Sequence, residues 1–544
     1  MATRALTTSA PTLVIVVFTL EPFLPLDLFA GLQSPRAMPT GRSRSGAQSI
    51  SRIVVYTHRW LGIILGVLFT GWFVSGVVLM YAGMPRLSPA ERLAALTPID
   101  STAIRVAPRE AAAGEPVDSL QVAMFAGRPV YRMRTAGATH AVFADTGEQL
   151  APVSREQALL EAGTLARSQS VSVRYDGYVE EPDQWTLEIR RQLPMHRVAI
   201  EDGTDTRVYV SASTGELLLK TTDRTRLWAY PGAILHWIYM PPIRRHVSAW
   251  SQFIIWSSIA GTVMTLAGLA WGLWRFSPRK SYRLRRAASY SPYAGWMWWH
   301  HYAGLAFGVV TLTWIFSGLL SMDPWDWHPG TSPTAEQRAG FAGPAPDVAS
   351  IETGQLLAAL LRAPGAREAH VVKSQGGLWL ATDAGVVPLD PRGGLLPLDA
   401  RAIRSLAHDA MPGTSIEHID VLEEYDSYYY DRQRELPLPV VRVQYDDPIR
   451  TTLYVDPRRG TVSRKEERLT RLNRWLYHGL HSLDFPFLYY RRPLWDLVVI
   501  VLSIGGLALT LSTLAPAWRR LRRHAARLRR PSRVSGGNGH RVDA

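Results

Sequence analysis

With 544 residues, a formal charge of +14 and 47% apolar residues, the chain has room for several domains, and its near-neutral mean hydropathy averages long uncharged blocks with polar ones. It contains no cysteine, which excludes disulfides, thiolate metal sites, iron–sulfur ligation and covalent C-x-x-C-H haem attachment. The excess arginines collect beside the apolar blocks, so they point to a membrane boundary and no nucleic-acid partner is expected.

Taken in order, residues 1–50 read as a disordered or misassigned leader, because Leu13–Leu20 is apolar but too short to span and Glu21 and Asp27 break the residues after it. Four blocks, Val54–Tyr81, Trp250–Trp274, Trp296–Met322 and Leu494–Ala515, are long enough to cross a bilayer, which takes about 20 apolar residues. The loop Arg275–Arg286 and the eight arginines from Arg519 to Arg533 are free of acids, which predicts that both, and the N-terminus, are cytoplasmic. The polar segments then lie outside. In the first, Ala141–Glu148 and Val208–Leu217 have strand-and-turn character and Ser154–Ala166 is helical; in the second, turns fall at Leu389–Gly393 and Tyr454–Gly460 and a helix at Ala400–Ala410.

Two constant offsets run through the chain. Gly62, Gly66, Trp72, Ser75, Gly76 and Met80 recur 242 residues later as Gly304, Gly308, Trp314, Ser317, Gly318 and Met322. An offset of 245 pairs Tyr209 with Tyr454, Gly215 with Gly460, Leu227 with Leu472, His236 with His481, Trp250 with Trp495 and Gly261 with Gly506. The expected fold is therefore a membrane protein, an α-helical four-span bundle with two periplasmic α+β domains, built as a tandem pseudo-twofold duplication whose axis runs along the membrane normal. Its expected divisions are a first span at 51–84, an external domain at 85–235, an outer histidine segment with the second span at 236–275, a basic loop at 276–293, a third span at 294–322, a second external domain at 323–477, an outer histidine segment with the fourth span at 478–516 and a basic tail at 517–544.

Repeat equivalence singles out His58 with His300 near the cytoplasmic ends of the first and third spans, and His236 with His481 before the second and fourth. Ionisable side chains in membrane are costly and usually functional, and haem iron takes two axial ligands on opposite faces, for which imidazole is common. Two non-covalent b-type haems, each held by one pair, are expected; His301 competes with His300, and His478 with His481. Interfacial hydrogen bonding is the alternative role for any one of these histidines. Gly62, Gly66, Gly304 and Gly308 leave room for a flat ring or serve close helix packing. Arg59, Arg244, Arg245, Arg491 and Arg492 are candidates for haem propionates or interfacial anchors. The tryptophans near the span ends read as an aromatic belt, and the cluster Tyr425–Asp431 as a strand or loop surface that could also touch ferric iron.

On His58-Arg-Trp-Leu-Gly, the strand-turn Val208–Glu216, Leu235-His236, and Leu480-His481-Ser-Leu-Asp-Phe-Pro-Phe with Arg492–Asp496, the chain resembles the PepSY-associated transmembrane family over roughly residues 52–520. That family includes bacterial inner-membrane ferrisiderophore reductases. The resemblance implies periplasmic PepSY-like domains and haem-mediated reduction of a ferric siderophore or other ferric complex. No G-x-G-x-x-G comes after a strand, so the electron donor is expected to be separate, membrane quinol or a cytoplasmic reductase. The alternative function is a non-redox, membrane-anchored binding or protease-regulating protein that uses its PepSY-like domains alone.

Overall fold

The computed structural model describes residues 44–135, 138–166, 171–279, 282–283, 288–344, 347–389, 396–431 and 434–528. Most of the expected leader, the turn at Asp390–Gly393, Arg285 and Arg286 of the basic loop, and the tail past Leu528 lie outside the described residues.

Four helices are long and apolar enough to cross a membrane: Gln48–Leu79, Val247–Arg275, Trp296–Leu320 and Leu494–Ala526, of 32, 29, 25 and 33 residues. The protein is a multi-pass membrane protein. The third span packs against both the second and the fourth, and phenylalanines of the first span seat on glycines of the second and fourth. A Cβ on Gly261 would lie 2.4 Å from Phe69, and one on Gly506 would lie 2.2 Å from Phe73, so the small residues set the approach of the helices. The sequence reading ends the fourth span at Ala515, but the helix runs through Pro516 to Leu528. Proline removes one amide donor, which bends or weakens a helix without having to end it, and the arginines continue on the same helix.

Between the spans the chain forms sheets. In order, β1 (Ser119–Phe125), β2 (Arg128–Thr135) and β3 (Ala138–Phe143) form a meander, and β4 (Val173–Val179), β5 (Met195–Ile200), β6 (Thr206–Ser211) and β7 (Leu217–Thr221) a four-stranded sheet. After the small hairpin β8 (Tyr282–Arg283) and β9 (Ala288–Ser289), β10 (Glu368–Ser374), β11 (Gly377–Thr382) and β12 (Gly385–Pro388) form a second meander, and β13 (Ile416–Leu422), β14 (Val440–Tyr445), β15 (Thr452–Asp456) and β16 (Thr461–Glu466) a second four-stranded sheet. The helices Arg155–Ala166 and Ala400–Ala410 cover these sheets with alanine-rich faces.

The meanders join. Strand β1 pairs antiparallel with β10 through Gln121↔His370, Val122↔Ala369 and Ala123↔Glu368, giving one six-stranded sheet of order β12-β11-β10-β1-β2-β3. Its core mixes Leu120, Tyr131 and Met133 with Leu356, Ala369 and Leu380. At the seam Glu368 accepts from Arg92 (2.5 and 2.9 Å), Gln121 (3.0 Å) and His370 (3.0 Å). Burial works against ionisation of this carboxyl, but the hydrogen bonds from His370 and Arg92 prevail and hold it well below the usual carboxylate range.

The turn glycines dock each four-stranded sheet on this shared sheet. Gly215 and Gly460 have φ of 68° and 63°, which favours glycine; a Cβ would also sit 2.3 Å from Phe125 at the end of β1, or 2.0 Å from Ser374 at the end of β10. No other residue fits either turn without displacing the strand end.

Candidate functional site

His236 and His481 are reached by the same local sequence of shapes. Capping boxes at Thr222 with Thr225, and at Glu467 with Thr470, start the helices Asp223–Ala229 and Arg468–Asn473. Each passes into a π turn, Tyr230–Ile234 or Arg474–Gly479, and then into a single α turn, Leu235–Trp237 or Leu480–Ser482, that carries the histidine. The exits are left-handed at Ile238 (φ 54°) and Leu483 (φ 50°). That conformation is costly for a β-branched residue and persists only where the surroundings enforce it. Trp250 Nε1 donates to the Trp237 carbonyl and Trp495 Nε1 to the Ser482 carbonyl, both at 2.9 Å, fixing the chain one residue before each exit. The sequence reading assigns these two indoles to an aromatic belt; the structure gives them this more specific task.

The four principal histidines meet as two facing pairs. The rings of His58 and His300 have centroids 5.9 Å apart, and those of His236 and His481 are 6.1 Å apart. In all four, Nδ1 makes the anchoring hydrogen bond. His58 donates to the Met264 carbonyl at 2.9 Å and His300 to that of Leu509 at 3.2 Å, where Ser512 Oγ lies at the same distance. His236 Nδ1 is 3.0 Å from Ser75 Oγ, and His481 Nδ1 is 3.1 Å from Ser317 Oγ and 3.2 Å from the Trp314 carbonyl. Metal-binding imidazoles are normally oriented in this way, with one nitrogen tied to a carbonyl or hydroxyl and the other presented to the metal.

Two imidazoles that share one metal through bonds of roughly 2 Å place their ring centres about 6 Å apart, which both pairs match. Among the described residues no three or more His, Asp or Glu converge to hold a bare ion; a haem, which brings its own equatorial ligands, would need only the two axial positions that each pair offers. Glycines make the room: a Cβ on Gly268 would lie 2.4 Å from the His58 ring, and those on Gly76 and Gly318 would lie 3.4 and 3.5 Å from His236 and His481. Among the described residues Trp314 Nε1, whose main-chain carbonyl meets His481, and Arg244 Nε and Nη1 are buried N–H groups with no hydrogen-bond acceptor; Arg474 Nη1 is another, on a guanidinium that pairs with Asp484 at 4.0 Å. Such donors are costly unpaired, and a ring bearing carboxylates would supply acceptors. The residues present fit a haem.

The remaining candidates have other surroundings. His301 turns away from the pair, its Nδ1 2.8 Å from Ser291 Oγ and its Nε2 2.8 Å from the Gly272 carbonyl. His478 packs on Tyr477 with ring centroids 4.5 Å apart. Arg59 lies over Tyr56, and Arg244 is stacked between Tyr239 and Trp250. Arg245 is exposed and bonds the Pro241 carbonyl, Arg491 is exposed, and Arg492 pairs with Asp496. Gly62, Gly66 and Gly304 face Met264, Thr513 and Leu509, and Gly308 faces Leu269, so these glycines serve contacts between spans. In the tyrosine cluster Tyr429 is fully buried on Tyr454, and Tyr428 receives a hydrogen bond from Trp475.

Sequence reasoning gives no role to Gly268, Trp250 or Trp495 at the histidines. The serines are visible as a repeat, Ser75 with Ser317, without their purpose. Arg474 escapes entirely; it is buried, stacks on Tyr430 and Trp475, donates to the Ser427 and Asp484 carbonyls, and has no arginine at the equivalent position Ala229.

No curated protein matches the chain. The family model of the PepSY-associated TM region matches residues 55–356, more than half of the sequence, and the protein belongs to the PepSY-associated transmembrane family.

Proposed function

We propose that this protein moves electrons across the bacterial inner membrane to reduce a ferric complex, such as a ferric siderophore, from Fe(III) to Fe(II) in the periplasm. The observation that carries this reading is the two facing histidine pairs, each ring anchored through Nδ1. In this reading His58 and His300 hold one b-type haem at the cytoplasmic end, and His236 and His481 hold another at the outer end. Haem supplies one-electron redox chemistry when bound, with a potential set by its axial ligands and their surroundings. The chain's own contribution is orientation: carbonyls and hydroxyls fix the rings, the glycines clear space beside them, and buried N–H donors await carboxylates. Because cysteine is absent, both groups are held non-covalently.

The basic loop and tail support cytoplasmic termini, with the sheets in the periplasm as PepSY-like domains. A tandem duplication is supported by paired features: Ser75 with His236 against Ser317 with His481, left-handed Ile238 against Leu483, and β1 lying beside β10. The donor, quinol or a cytoplasmic reductase, gives one electron per ferric ion reduced.

The test is a visible spectrum and acidic-acetone extraction of protein purified from haem-replete cells. Two extractable b-type haems per chain are expected. A colourless protein would overturn the proposal in favour of a non-redox, membrane-anchored binding or protease-regulating role for the sheet domains.

A further inference from the structure

The helix Arg468–Asn473 forms one wall of a two-chambered cleft. Its polar chamber, about 300 Å³, is lined by Glu417, Arg442, Arg450, Thr452 and Arg471 among others. Its larger chamber, about 680 Å³, is lined by Ile449, Arg468, Leu469, Leu472 and Trp475, and shares Tyr428 and Arg471 with the first.

The charges do not cancel. Arg442 is neutralised by Asp420 and Asp426, Arg450 by Glu417 and Asp446, and Glu467 is bound by Lys465. Arg471 instead donates to the Thr452 hydroxyl and the Arg450 carbonyl, neither of them a carboxylate. Arg468 lies three residues before it on the same helix, so the two side chains share a face. The cleft is thus cationic along one helix and apolar beside it, where Ile449, Leu469 and Leu472 stand 48, 44 and 45% exposed. Large apolar side chains exposed together mark a binding surface or a lipid boundary.

Its height in the molecule separates these. Asn473, the last residue of the helix, is eight residues from His481, roughly 12 Å of helix rise at most. His481 is anchored to Ser317, within the last turn of the third span. The cleft therefore lies within roughly 12 Å of the end of the bundle, in reach of the headgroup region.

We propose that this cleft holds one anionic phospholipid. The phosphate is received by Arg468 and Arg471, and an acyl chain lies along Ile449, Leu469, Leu472 and Trp475. Trp475 lies within the π turn before His481, so the bound lipid buttresses the histidine segment. The proposal does not depend on haem being present.

The experiment uses the full chain in nanodiscs of phosphatidylcholine doped with phosphatidylglycerol, then detergent release and native mass spectrometry. Wild type is expected to retain one phosphatidylglycerol, and Arg468→Gln/Arg471→Gln to retain it at least about tenfold less well, the equivalent of roughly 1.4 kcal/mol. Leu472→Gln should weaken retention as well, while Arg471→Lys and the exposed Arg404→Gln should behave as wild type. Equal retention by the double glutamine variant would overturn the proposal. So would displacement of the lipid by inorganic phosphate alone with Leu472→Gln unaffected, which would make the cleft a simple anion site.

Discussion

The two histidine pairs have nearly equal ring separations but are held by different kinds of partner. His58 is fixed by a main-chain carbonyl of the second span and His300 by one of the fourth with the Ser512 hydroxyl beside it, whereas His481 has both the Ser317 hydroxyl and the Trp314 carbonyl and His236 leans on the Ser75 hydroxyl. A carbonyl only accepts, so it dictates that Nδ1 carries the proton and that Nε2 presents its lone pair. A hydroxyl both donates and accepts. Substitution cannot delete the carbonyls at His58, His300 and His481, but it can delete the hydroxyl at His236. The first pair is therefore held by main chain at both rings, and in the second pair the side-chain anchor at His236 is the one that sequence change can adjust.

Removing a ring from either pair is the bluntest way to break this comparison. On the proposed function, His236→Ala should lose one of two haems and abolish external ferric reduction while the other haem stays reducible from the cytoplasmic side; His58→Ala should stop the physiological donor from reducing either. Haem counts with stopped-flow spectra decide it, and normal ferric reduction by His236→Ala would refute the assigned route.

Crowding the inner site comes next. Gly268→Leu drives a side chain into the His58 ring, so loss of the inner haem is expected together with about 1–3 kcal/mol of stability. Gly272→Ala, whose Cβ would meet only ordinary contacts at 3.7 Å, should keep both haems. Retention of two haems by Gly268→Leu would show that His58 is not held in that notch.

The comparison is sharpened by serine. On the proposed function, Ser75→Ala should weaken outer haem retention by roughly 10–100-fold, whereas Ser317→Ala, where the Trp314 carbonyl remains, and Ser512→Ala, where the Leu509 carbonyl remains, should each change retention by less than about threefold. Equal effects of Ser75→Ala and Ser512→Ala would erase the distinction between fixed and adjustable anchors.

The smallest effect on either pair is expected from the sheet seam. Glu368→Gln should cost roughly 1–3 kcal/mol and leave both haem spectra unchanged. The native carboxyl is held below its ordinary value, so its contribution is present above the unfolded pKa of about 4 and fades as pH falls toward the depressed folded value. Chemical denaturation at several pH values would show the wild type losing its advantage over Glu368→Gln in that acid range.

The four spans are legible in sequence because length and lack of charge suffice to mark them, and the helix Ala400–Ala410 because its apolar residues repeat at helical spacing behind an Asp399 cap. The facing of equivalent histidines is legible because the chain repeats itself. What escapes is what leaves no local trace. The end of the fourth helix is not legible because apolar length marks the block that can span, up to Ala515, while the helix itself carries on through charged residues to Leu528. Gly268 is conspicuous only once His58 is seen to occupy the space of its missing side chain. The pairing of β1 with β10 joins segments whose own residues say only that each is a strand.

That pairing also has a consequence in time. Strand β1, Ser-Leu-Gln-Val-Ala-Met-Phe, carries no charge and no proline, which are the usual devices that protect a sheet edge. The strand that covers it is made about 240 residues later, roughly 10–50 s at ordinary translation rates. Throughout that interval the nascent chain presents an open, uncharged edge beside the membrane. The step most exposed to misassembly is thus set by the ribosome's pace between Phe125 and Glu368, and slowing synthesis within that stretch should lower the yield of folded protein more than slowing it anywhere after β10.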